Sequence, residues 1–193
     1  MTLFDTLSAR RGSNTLLMNL LLVLAGSLLL TISAKVAVPF YPVPLSMQTF
    51  VVIGLGLALG PARAVAAVLA YLAQGVAGLP VFVGTPPQIA GIAYLMGPTG
   101  GFLIGFVAIA FVAGLFARMG FDRNPVTAMI AALVAGAVIY LPGLAWLGLF
   151  TGYGETLLAA GLYPFLLGDV AKALLAAIVF PAVWKWVGAD EAR

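Results

Sequence analysis

The sequence predicts an all-α integral membrane protein, a single domain over residues 1–193 built as a bundle of six transmembrane helices. Three observations point there. Hydrophobic residues make up 63% of the chain and charged ones only 8%, against about 25% charged in a soluble domain. So few charges cannot coat a water-facing surface, and lipid must solvate most of it. Apolar runs approaching the ~20 residues that cross a bilayer recur along the chain, separated by Gly, Pro and charged residues. The basic residues, finally, fall on alternate connections between those runs.

The first span is expected at 15–36, entered through Ser13-Asn14, an N-cap pair. Arg10 and Arg11 ahead of Leu16–Leu30, with Ile32-Ser33-Ala34 beyond, have the look of a cleaved leader. The apolar run is longer than a leader's ~7–15 residues, and the residues beyond it are equally apolar, so a retained span is expected. Ser27/Thr31 and Ser33/Ala37 place small residues at the four-residue spacing that lets helices approach closely. The second and third spans, 47–59 and 62–76, are short and meet at Gly60-Pro61, so the two also read as one broken hairpin. The fourth is expected at 91–118, the fifth at 125–147 and the sixth at 164–187. Pro125 and Pro164 suit the first helical turn, where a missing N–H costs nothing.

Six spans put both termini on one side. Arg10, Arg11, Arg63, Arg118, Arg123, Lys185 and Arg193 fall there, seven of nine basic residues, while the opposite loops near 37–46, 78–90 and 149–163 carry none. The positive-inside rule makes the arginine side, with both termini, cytoplasmic. Because the basic residues are scattered singly at helix ends, nucleic acid is excluded as a partner despite the net charge of +3.

With no Cys and no His there is no disulfide, no thiolate chemistry and no ordinary zinc site, and neither metal nor cofactor is expected. No lysine follows a glycine, so the chain lacks a P-loop to hydrolyse ATP by itself. No acid/base pair or nucleophile–base set is visible, and the chain does not read as an enzyme.

Lys35 and Lys172 fall outside the topology pattern. Lys172 comes three residues after Asp169, so the two share one helix face. An ionised group costs at least about 2.5–3.5 kcal/mol at a helix centre, which makes intramembrane charges functional candidates. The pair reads either as an ion pair orienting the sixth helix or as a polar clamp for a ligand bearing donors and acceptors. The clamp is the favoured reading. The outward loops are uncharged and rich in Pro, Gly and aromatics, including Tyr41 and Phe82, and suit a lid over a cavity. Gln48-Thr49 and the run Gly97-Pro98-Thr99-Gly100-Gly101-Phe102 add polar and backbone groups near the same level. Free N–H groups at such a helix break can hold an anion; glycines packed between helices explain the same run.

The segments Ala34-Lys35-Val36, Pro42-Val43-Pro44, Gln48-Thr49-Phe50, Gly78-Leu79-Pro80-Val81-Phe82, the run from Gly97 to Phe106, and Gly168-Asp169 with Lys172 resemble, in this order, BioY, the biotin-specific S components of energy-coupling factor (ECF) transporters. The resemblance covers nearly the whole chain. It implies an S-component-like bundle with a site near the extracellular surface, set in a bacterial cytoplasmic (inner) membrane as a multi-pass protein. It implies biotin as substrate, and a transmembrane coupling subunit with a pair of ABC-type ATPases as partners. Against biotin's chemistry, Asp169 suits the ureido N–H groups and Lys172 the ureido oxygen, with Gln48 at the same level. Tyr41, Phe82, Tyr94 and Phe102, with Phe40, suit its apolar parts. Thr99 with the Gly100-Gly101 backbone, or Lys35, suits the carboxylate, and the reverse orientation with Lys172 on the carboxylate stays open. The Ala-x-x-x-Ala pair that S components often carry in the first helix for docking is absent here. Rival readings are an S component for a different vitamin, and a small dimeric proton-coupled secondary transporter with Asp169 as proton carrier.

Overall fold

The computed structural model describes residues 2–9, 15–86 and 90–189. Arg10, Arg11, Arg193 and the Ser13-Asn14 pair lie outside the described residues. The fold is mostly helical. A short helix α1 (Leu3–Ala9) precedes α2 (Thr15–Lys35). At 21 residues, α2 is about 31 Å long, enough for a hydrocarbon core of ~30 Å. Its outward face carries Leu17, Leu20, Leu21, Leu24 and Leu28, each exposed by more than half. Its inward face packs on α4 (Pro61–Val76). Gly26 fits against Ala67, and Gln74 donates to the Ser27 hydroxyl at 3.1 Å, so Gly26 and Ser27 of α2 serve an internal contact.

Between α2 and α3 (Gln48–Leu59) the chain forms a two-stranded antiparallel ribbon, β1 (Ala37–Val38) with β2 (Leu45–Ser46), the one departure from an all-helical reading among the described residues. Pro39, Pro42 and Pro44 cannot extend a helix here, and the flanking residues pair instead. Gly60, at φ 80°, turns α3 into α4. Both are apolar but short, at 12 and 16 residues.

The expected fourth span divides. A single turn α5 (Ile92–Leu95) is separated by Met96-Gly97-Pro98-Thr99 from α6 (Gly100–Arg118). The ring of Pro98 would meet the carbonyl four residues back and supplies no N–H, which stops the helix. The expected fifth span likewise breaks into α7 (Pro125–Ala137) and α8 (Tyr140–Thr151), because Pro142 cannot donate to the Val138 carbonyl. Leu141 N–H takes that carbonyl instead, at 3.3 Å. A connection expected as loop holds α9 (Glu155–Gly161), with Glu155 suited to the positive end of its dipole. Last comes α10 (Tyr163–Ala189).

Among the described residues, four stretches are long and apolar enough to cross a membrane: Leu16–Lys35, Gly100–Arg118, Pro125–Thr151 and Glu155–Val187. At the centre, α6 touches α3, α4, α7 and α8. Alanines at 110, 113, 117, 131, 135, 173 and 176 are buried at the helix crossings, as expected where small residues rather than a hydrophobic driving force draw helices together in lipid.

The described basic residues of the arginine-rich connections gather at one end of the bundle. Arg63 and Arg118 line one cleft, with Arg63 bonded to Asp5 at 2.7 Å. Arg123, in a 3-10 turn after α6, lies over the Trp184 ring at 4.6 Å. Trp184 donates from Nε1 to the buried carboxylate of Asp122 at 2.5 Å, tying the α6–α7 connection to α10. Asp169 sits on the same helix fifteen residues before Trp184, about 22 Å along its axis.

Candidate functional site

The cavity lies at the end opposite the arginines, where α3, α6 and α10 begin. Its polar floor is made by side chains from three elements. On α10, Asp169 Oδ1 and Lys172 Nζ are 3.6 Å apart, one helical turn placing them side by side. Tyr140, at the start of α8, donates its hydroxyl in a short hydrogen bond to Asp169 Oδ2. Lys172 donates to Thr49 Oγ1 of α3 at 2.7 Å. The Lys172 side chain is only 11% exposed and that of Asp169 23%. The pair is electrically balanced, and each member already has a second partner that fixes its direction. Such a floor offers an acceptor and a donor side by side to a neutral polar group that carries both.

Above the floor the walls are apolar. Phe102 and Phe106 of α6 and Phe165 of α10 face the space, with Leu103, Ile139, Val43 and Val83. Phe102 and Phe165 stack with centroids 6.3 Å apart. Ser46, Gln48, Thr49, Tyr94 and Thr99 complete the lining, and the hollow holds about 580 Å³ of free space, part of it open to the outside. Gln48 is buried. Its amide donates to Tyr71 at 2.7 Å, and its carbonyl accepts from Ser46 at 3.3 Å. A second hollow sits outside the first, bounded by Pro39–Pro42, Gly84, Ala93 and Gly97–Pro98, and shares Pro44, Val83, Tyr94 and Thr99 with it. It forms a vestibule. Thr99 stands where the two meet.

The structure thus brings Asp169, Lys172, Gln48, Thr99, Tyr94 and Phe102 around one cavity. Tyr41 is 88% exposed and borders the vestibule only. Four other expected residues lie off the lining. Phe82 is fully buried against Tyr71 and Tyr94. Gly100 and Gly101 meet protein: a Cβ on Gly100 would strike the Leu95 carbonyl, and one on Gly101 would strike Trp146 and the Pro142 carbonyl. Close packing, the alternative explanation of that run, accounts for both. Lys35 has its ammonium committed to backbone carbonyls of the loop after α4. Tyr140, Phe106 and Phe165 are the residues sequence reasoning missed. A phenol within the otherwise apolar run 125–147 was the available signal for Tyr140, since a buried hydroxyl needs a partner. The two phenylalanines gave none.

The family model described as "BioY family" matches residues 6–189. The chain is 38% identical over 151 residues to a Pyrococcus horikoshii protein named "Probable biotin transporter BioY", covering 78% of this chain and 86% of that one. It is 33% identical over 169 residues to the biotin transporter BioY2 of Lactococcus lactis, covering 86% and 89%. The fold is similar to a crystal structure of the S-component for biotin from an ECF-type ABC transporter, with TM-score 0.77 and 26% identity over 90% of this chain and 94% of that one. The chain belongs to the BioY family.

Proposed function

We propose that the protein captures biotin at the outer face of a bacterial cytoplasmic membrane and delivers it inward with a transmembrane coupling subunit driven by a pair of ABC-type ATPases. The observation that carries the reading is the neutral Asp169–Lys172 pair flooring an aromatic-walled cavity. Biotin's ureido ring is neutral and presents two N–H donors and a strong carbonyl acceptor. Asp169 accepts from the N–H groups, and Lys172 donates to the ureido oxygen. Phe102, Phe106 and Phe165 cover the thioether ring and valeryl chain. The carboxylate then points to the vestibule, with the Thr99 hydroxyl as its donor. This orientation is favoured over the reverse because a carboxylate at the floor would face Asp169, and like charges repel.

In this reading α3 and α4 count as short spans, giving six, and the arginine-bearing end with both termini is cytoplasmic. Purified protein is expected to bind labelled biotin saturably, one per chain, with competition by unlabelled biotin and not by other vitamins. Absence of saturable binding would sink the proposal. In cells, ATP depletion is expected to stop uptake and an uncoupler to spare it; the opposite pattern would favour a proton-coupled carrier. Tyr140→Phe is expected to weaken binding about tenfold, as for the loss of one hydrogen bond to a charged group, with the fold intact. An unchanged Kd in that variant would show that the phenol does not orient Asp169.

A further inference from the structure

From Val81 to Pro86 the chain forms neither helix nor strand, yet Val83 borders both the cavity and the vestibule. Irregular backbone at the edge of a membrane needs donors for its carbonyls, and three helices supply them as side chains. Lys35, the last residue of α2, donates from Nζ to the carbonyls of Pro80 at 2.8 Å, Phe82 at 2.9 Å and Thr85 at 2.5 Å. The Tyr71 hydroxyl of α4 donates to the Val81 carbonyl at 3.3 Å, and the Tyr94 hydroxyl of α5 to that of Val83 at 3.0 Å. Phe82 anchors the loop from within, its ring filling the space that Gly75 leaves open.

Three carbonyls converging on one ammonium make a cage that the lysine closes. Removing it would leave the Pro80 and Thr85 carbonyls without their side-chain donor, while the Phe82 carbonyl keeps the Thr85 hydroxyl and N–H; at Thr85, which is buried, an orphaned acceptor carries its full desolvation cost. No carboxylate forms an ion pair with Lys35 among the described residues, and it does not line the cavity. The loop is therefore what this charge serves.

We propose that Lys35 is a positioning residue for ligand binding. Its ammonium holds the Pro80–Thr85 loop as a fixed wall of the cavity, acting through Val83 and Tyr94 without touching the ligand. This rests on the biotin reading only for the identity of the ligand. The test pairs hydrogen–deuterium exchange of the 80–86 backbone, without ligand, with equilibrium biotin binding on the full chain. Lys35→Met is expected to exchange at least about tenfold faster in that loop and to bind at least about tenfold more weakly. In Lys35→Ala, n-propylammonium restores the missing atoms and slows exchange again, whereas n-propanol, the same length without charge, does not. Wild-type exchange in Lys35→Met, or equal rescue by the alcohol, overturns the proposal whatever biotin does. Failure of the wild-type chain to bind biotin overturns the function reading alone, since the exchange measurement needs no ligand.

Discussion

Lys172→Ala is expected to weaken biotin binding by about 3–5 kcal/mol, or roughly two to three and a half decades in Kd. The side chain is 11% exposed and donates both toward Asp169 and to Thr49. Its loss removes the donor proposed for the ureido oxygen and leaves a carboxylate in a largely apolar hollow with Tyr140 as its remaining hydrogen-bond donor. Asp169→Ala is expected to cost as much, for the mirrored reason: an ammonium then faces Phe102, Phe106 and Phe165 with the Thr49 hydroxyl as its remaining acceptor and no opposite charge beside it. Asp169→Asn keeps the shape but not the charge, and is expected to cost about 2 kcal/mol. Since the two residues act as one unit, the double alanine variant is expected to bind little worse than either single one, a coupling that a double-mutant cycle reads directly. If both single variants bind biotin like wild type, the clamp is wrong.

Gly114→Ala is expected to destabilise the bundle by about 3 kcal/mol, the upper part of the usual overpacking range. A Cβ at Gly114 would press on Pro61, with Pro61 Cα at 2.5 Å and the Gly60 carbonyl carbon at 2.7 Å. These are backbone atoms of the turn joining α3 to α4, and no side-chain rotamer change can make room. The variant is expected to unfold at a markedly lower temperature in detergent. Gly168→Ala is the control. It lies beside Asp169 on α10, and nothing stands within 4 Å of its would-be Cβ. Helix propensity then favours alanine by up to about 1 kcal/mol, and neither stability nor biotin affinity is expected to fall. Equal melting temperatures for the two variants would contradict the packing described for the α3–α4 turn.

Gly114 and Gly168 illustrate what a sequence shows and what it hides. Both are glycines in apolar helices, and no pattern tells the one pressed against backbone from the one facing open space. The same holds for Gly100 and Gly101, which look like ligand-approach glycines and are packing glycines. Lys35 and Lys172 are each a lone cation in an apolar stretch. One turns to loop carbonyls and the other to the cavity. The choice is made by a carbonyl 45 residues away for Lys35 and by a hydroxyl 123 residues away for Lys172.

Membrane residence, the helical class, the approximate places of the apolar segments and the Asp169–Lys172 pair were determined by the sequence alone. Those features depend on local quantities: transfer of side chains from water to lipid, and the three-residue spacing that stacks two side chains on one helix face. The partners of that pair, Tyr140 and Thr49, the aromatic wall and the caged ammonium of Lys35 were decided only by tertiary structure. They depend on which helix ends meet, and that comes from the packing of many small contacts at once rather than from any one segment.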